Sequence, residues 1–134
     1  MLAKHRLLFH KKSHDDSGKA DAYFTGQDDD CVWGVVFELD PAEKPALDVA
    51  EGLGTDYLEK TVCVAGPSGN VEATMYYAKE THPGLRPYSW YLRFVVDGAR
   101  QHELPSEYVS SLERVQSIAD PDANSDAQHR AIRC

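Results

Sequence analysis

The chain has 134 residues, 42% hydrophobic and 10% aromatic, enough apolar material for the core of one domain and too little for two. Its 22 acidic residues outnumber 14 basic ones for a formal charge of −8, a sign that repels phosphate backbones and argues against a nucleic acid partner. No window approaches the roughly 18 to 20 apolar residues of a membrane span, so no membrane partner is expected, and the opening Met1–Arg6 stretch does not read as a signal peptide.

Leu7 and Phe9 alternate with Arg6, Leu8 and His10 and predict a first strand, which the polar run His14–Lys19 ends. Ala20, Ala22 and Phe24 alternate with Asp21, Tyr23 and Thr25 and predict a second, half-buried strand. After a turn over 26–30, Cys31, Trp33, Val35, Phe37 and Leu39 recur at every second position and predict the clearest strand of the chain, with Gly34 on its other face. Asp40, Pro41 and Glu43 mark a helix start as N-cap, first-position proline and capping-box acid. Pro45 lies deep enough to clash with the carbonyl of Pro41, so a distorted first turn is expected before a short helix through Leu47, Ala50 and Glu51 that stops at Gly52.

Segments 57–65 and 71–78 flank Gly66-Pro67-Ser68-Gly69-Asn70 and predict a hairpin. Tyr88, Tyr91, Leu92, Val95, Val96 and Ala99 repeat at three and four and predict the strongest helix, ended by residues 102–105. Ser106 is the expected cap of another helix carrying Tyr108, Val109, Leu112 and Val115. From Ala119 the chain turns polar, so one domain over 1–115 and a poorly ordered tail over 116–134 are expected. Strands first and helices later predict an α+β fold with a curved, mixed but mostly antiparallel sheet or small barrel and helices packed on it.

Few residues offer chemistry by themselves. His5, His10 and His14 read as solvated, because no carboxylate or thiol completes a metal-ligand spacing. Asp28-Asp29-Asp30 lacks the spacing of a calcium loop and reads as a charged turn. Cys31, Cys63 and Cys134 are an odd number without a C-x-x-C pair, the pattern of free thiols in a reducing cytoplasm, and Cys31 and Cys63 are expected to be buried and inert. Glu51 stands out. If the helix ends at Gly52, its carboxylate sits at the negative end of the helix dipole, where an anion is disfavoured and uptake of a proton is helped, as a general base requires. Tyr57, Tyr76, Tyr77, Tyr88 and Tyr91 suit either a core or the wall of a polar-ligand pocket.

Several of these stretches occur together in a recognisable order: Val32-Trp33-Gly34-Val35-Val36-Phe37, then Leu47-Asp48-Val49-Ala50-Glu51-Gly52, Tyr57, and Asp97-Gly98-Ala99-Arg100 leading to Leu104-Pro105-Ser106-Glu107-Tyr108. With Phe9-His10-Lys11 and Ser17-Gly18-Lys19-Ala20 near the start, the chain from about Leu2 to Leu112 resembles the gamma-glutamylcyclotransferase-like family, in its bacterial form. The resemblance implies an enzyme that cyclises a gamma-glutamyl amine or peptide to 5-oxoproline and releases the amine. It implies Glu51 as the catalytic acid and base and Tyr91, Tyr57 and Tyr76 as substrate-binding residues, with neither cofactor nor metal. The family's opening strand and Tyr-Gly-Ser-Asn loop, which grip the glutamyl group, do not occur in these 134 residues. The expectation is therefore a chain truncated upstream of Met1, a non-catalytic small-ligand or assembly module on the same scaffold, or a homodimer formed through the open sheet edge.

Overall fold

In the computed structural model, which describes residues 1–132, a short strand β1 (Leu2–Ala3) precedes β2 (His5–Lys12) and β3 (Gly18–Phe24). β2 and β3 pair antiparallel with His5 opposite Phe24 and Leu8 opposite Asp21, and their register shifts between Leu8 and Lys11. Simple alternation therefore fails to sort their polar residues. Asp21, expected on a solvated face, is only 4% exposed. Its Oδ1 accepts the Ala78 N–H at 2.9 Å and its Oδ2 meets His10 Nε2 at 2.6 Å. His5, expected in solvent, is 6% exposed, and its Nδ1 donates to the Ala3 carbonyl at 2.7 Å while Nε2 accepts from Lys60 at 3.0 Å. Only His14 of these three is fully solvated.

The strand foreseen over 31–39 is cut short. β4 (Cys31–Val32) pairs with β1, Leu2 opposite Val32 and Ala3 opposite Cys31, and from Trp33 the chain leaves the ladder. Apolar alternation alone does not make a strand; its N–H and C=O groups also need a neighbour, and β1 supplies one no further. The hairpin of β5 (Tyr57–Gly66) and β6 (Gly69–Ala78) forms as expected, in unbroken register from Tyr57 opposite Ala78 to Gly66 opposite Gly69. β1 lies along it, the Ala65 N–H donating to the Met1 carbonyl at 2.9 Å. Among the described residues the strands form three two-stranded antiparallel ladders, β1-β4, β2-β3 and β5-β6, so the small barrel considered above is not closed there.

Asp40 caps a 3-10 turn over Pro41–Glu43, its carboxylate accepting the Ala42 N–H at 2.9 Å, and α1 (Lys44–Glu51) follows. The distorted turn is how the two prolines are reconciled: Pro45 falls in the first turn of α1, where its missing N–H has no helical acceptor to lose. α2 (Ser89–Gln101) begins after Tyr88, and α3 (Ser106–Glu113) starts on Ser106 itself, with Pro105 in the N-cap position. Phe9, Leu92, Val96, Ala99, Val109 and Leu112 form the core between β2 and these two helices. Full burial of a Leu, Val or Phe side chain is worth about 1.5 to 3 kcal/mol, so this cluster fixes the helices on the sheet.

Within 116–134, read from sequence as a poorly ordered tail, the chain instead forms α4 (Ala123–Ala131). Asp122 caps it, accepting the N–H groups of Asn124 and Ser125 at 3.0 and 3.1 Å. The His129 ring stacks on Trp90 with centroids 3.7 Å apart, and the Arg93 guanidinium donates to the carbonyls of His129, Arg130 and Ile132. Both anchors come from α2, which a pattern search of the tail cannot see. Among the described residues no helix is long and apolar enough to cross a membrane. Cys63, expected to be buried, is exposed on β5, Cys31 is half-buried, and Cys134 lies outside the described residues.

Candidate active site

α1 ends as its sequence demands. Gly52 takes φ 63° and ψ 45°, its N–H donates to Val49 at 3.1 Å, and the Leu53 N–H reaches back to Asp48 at 2.9 Å. This left-handed stop satisfies the last carbonyls of the helix and makes Glu51 its final helical residue. The Glu51 side chain is half-buried and, among the described residues, makes no ion pair. Glu51 is thus the last helical residue, at the negative end of α1, with no cation at ion-pair distance among the described residues.

Two of the three expected tyrosines share its field. Tyr57 opens β5, and burial, the Tyr91 phenol and the Glu51 charge together push its hydroxyl well above the usual phenol range. Tyr91, on the first turn of α2, is also raised, first by burial, and the Glu51 charge adds to the shift. Its hydroxyl accepts the Ala20 N–H at 3.1 Å, and its ring packs edge-on against Phe9 and Trp90. Both phenols stay protonated near neutral pH, suited to hydrogen bonding and unsuited to proton removal.

Tyr76 is held differently. Its hydroxyl donates to Asp48, one turn before Glu51 on the same side of α1, and Lys44 bridges Asp48 to Glu59 of β5. These bonds pin α1 to the β5-β6 hairpin, so Tyr76 reaches the site through the helix that carries Glu51. Two hollows of the molecule lie elsewhere. One of about 240 Å³ is bounded by Leu7, Trp33, Val35, Val95 and Leu112, and one of about 480 Å³ runs beside Phe9, Leu85 and Pro87. Neither is lined by Glu51 or the three tyrosines.

Sequence reasoning passed over a polar group around Tyr57. Lys11 is buried on β2, donates to Asp56 at 2.9 Å, and lies 5.2 Å from the centre of the Tyr57 ring. A lysine two residues from Phe9 on one strand was the available signal. Asp21, whose charge also bears on Tyr57, gave none, because its partners His10 and Ala78 are remote in the chain. Among the described residues no group of three or more His, Cys, Asp or Glu side chains is gathered to hold a metal ion.

Residues 31–112 match the AIG2-like family. The fold matches the crystal structure of the uncharacterized protein loc79017 from Homo sapiens with a TM-score of 0.81 and 22% sequence identity, over 96% of this chain and 80% of that one. A structure of a gamma-glutamyl cyclotransferase matches with the same TM-score of 0.81, 22% identity, and 96% and 80% coverage. No curated protein sequence matches the chain. At this identity the structural likeness establishes the fold alone, while the family match spans the β4 to α3 region that contains Glu51, Tyr57, Tyr76 and Tyr91. The chain belongs to the AIG2-like family and has the gamma-glutamylcyclotransferase-like fold.

Proposed function

We propose that this chain is a gamma-glutamylcyclotransferase that converts a gamma-glutamyl amine or peptide to 5-oxoproline and a free amine, with Glu51 as general acid and base. The observation that supports the reading is a half-buried carboxylate at a glycine-stopped helix end, without an ion pair among the described residues and with two high-pKa phenols in its field. Nucleophile and electrophile belong to one substrate, so holding it folded supplies a large share of the acceleration. The substrate's α-ammonium gives a proton to Glu51, and the freed nitrogen attacks the γ-carbonyl carbon. The new C–N bond closes the ring, the ring nitrogen gives its second proton to solvent, the original amide C–N bond breaks, and the departing nitrogen takes the first proton back from Glu51. Tyr91 and Tyr57 act as hydrogen-bonding walls for the glutamyl head, and Tyr76 steadies α1 through Asp48. Substrates of this class include glutathione-related dipeptides, protein-crosslink fragments, polyamine conjugates and antibiotic intermediates. The expected compartment is the cytoplasm, where free thiols such as Cys31 and Cys63 stay reduced.

The test is release of 5-oxoproline from gamma-glutamyl dipeptides and amines by the wild-type chain and by Glu51→Gln. Turnover by the wild type and a loss of at least about 10²-fold in the variant are expected; equal turnover removes Glu51 from the role. A second reading, a ligand-binding module without turnover on the same scaffold, draws on the two hollows that lie away from Glu51 and the three tyrosines. Binding of glutamate or 5-oxoproline by a chain that releases no product from any of these substrates would select it.

A further inference from the structure

Lys11 is a buried lysine, two residues beyond the core residue Phe9 on β2. Its Nζ donates to Asp56 Oδ1 at 2.9 Å and lies 5.2 Å from the centre of the Tyr57 ring, within reach of a cation–π contact. One ammonium therefore meets two consecutive residues, the last of the turn after α1 and the first of β5. Taking an ammonium out of water is costly unless its hydration is replaced, and a methionine fills a similar volume without that cost. Packing alone gives no reason for a lysine at this position.

The turn that Lys11 grips joins two groups on which the proposed chemistry depends. Glu51 ends α1, Gly52 reverses the chain, and Tyr57 opens β5. The Asp56 N–H donates to the Gly52 carbonyl at 2.8 Å, and the Asp56 carboxylate lies so close to Gly52 that a Cβ there would stand 2.5 Å from Oδ2. Lys79 also holds the turn, its N–H donating to the Asp56 carbonyl at 3.1 Å and its Nζ to that of Gly54 at 2.9 Å. Those bonds fix backbone. Lys11 fixes side chains, the carboxylate pressed on Gly52 and the ring of Tyr57. On the same strand Phe9 packs edge-on against Tyr91, so β2 bears on both phenols in the field of Glu51.

We propose that Lys11 is a positioning residue for the Glu51 reaction: it clamps the 52–57 turn to β2 and so sets the Glu51 carboxylate relative to Tyr57. The proposal rests on the function proposed above, and Lys11 acts through Asp56 and Tyr57 without touching substrate.

The test measures kcat and KM for 5-oxoproline release, per folded chain, in wild type, Lys11→Met, Asp56→Asn and the double variant. Hydrogen exchange of the Leu53, Asp56 and Tyr57 amides is followed in the same proteins, with the buried Leu92 amide of α2 as reference for the core. A misplaced carboxylate is expected to lower kcat by about 10- to 10²-fold in Lys11→Met, more than KM rises. Asp56→Asn and the double variant should lose about as much, because the pair acts as one unit. The turn amides should exchange at least about 10-fold faster in Lys11→Met, with a smaller change at Leu92. An unchanged kcat in Lys11→Met overturns the proposal while Glu51 keeps its role. So do single losses that add in the double variant, or equal acceleration at Leu92, which would make Lys11 a stabiliser of the whole fold. Failure of the catalytic reading shows separately, as a wild type without turnover or a Glu51→Gln variant equal to it. Exchange alone then decides the clamp, and turn amides unchanged in Lys11→Met overturn it.

Discussion

Lys11 Nζ donates to Asp56 Oδ1 across 2.9 Å, joining β2 to the turn that follows α1. That bond and the lysine's charge hold the Asp56 carboxyl below its ordinary value of 3.8. Asp30 is lowered in the same way by the Thr25 hydroxyl and Arg6, and Asp48 by Lys44 and the Tyr76 hydroxyl. A folded-state value below the unfolded one means that the stabilisation is complete above the ordinary value and is lost as pH falls through the lowered one. Urea unfolding is therefore expected to give a stability that falls as pH drops from about 5 to about 2. Lys11→Met removes the larger part of the Asp56 share and leaves the smaller one from His14, so the decline over that range should be shallower; a profile parallel to wild type would refute the coupling.

Gly52 occupies the left-handed region, and a Cβ added there would stand 2.5 Å from Asp56 Oδ2. Gly52→Ala is expected to cost at least about 1 to 2 kcal/mol from backbone strain alone, measured by urea denaturation. The same substitution reorients the residue before it, so 5-oxoproline release should fall further than the folded fraction does. Unchanged stability would show that this helix end is not the rigid stop described.

The Tyr91 hydroxyl accepts the Ala20 N–H from the first half of β3. Tyr91→Phe leaves that N–H without its acceptor, at a cost of about 1 to 3 kcal/mol. On the proposed function it also weakens the grip on the glutamyl head, raising KM more than it lowers kcat. Spectrophotometric titration adds a check: burial raises Tyr57, Tyr76, Tyr88, Tyr91 and Tyr108, so these phenols should ionise only after the exposed ones.

α2 ends by the same device as α1, with Leu104 N–H donating to Ala99 at 3.0 Å, but the left-handed position is held by Glu103 at φ 53°. Glu103→Gly relieves that strain and is expected to raise stability by about 1 kcal/mol, seen as a higher Tm in calorimetry. A lower Tm would mean that the Glu103 side chain does more than occupy the turn.

The sequence by itself determined the elements whose causes are local. The β5-β6 hairpin follows from two apolar runs around Gly66-Pro67-Ser68-Gly69, α2 from a stripe at three and four, and the end of α1 from the one residue free to turn left-handed. Glu51 was legible for that reason, since its position depends only on where α1 stops. Tertiary structure decided what required a distant partner. Residues 33–39 have the pattern of a strand and no ladder, because backbone hydrogen bonds come from a neighbour and not from alternation. Asp21 and His5 are buried because Ala78, His10 and Lys60 meet their polar atoms from elsewhere in the chain, and α4 is held by Trp90 and Arg93 of α2. A polar side chain leaves water only where another group replaces the lost hydrogen bonds, and that group is supplied by the fold.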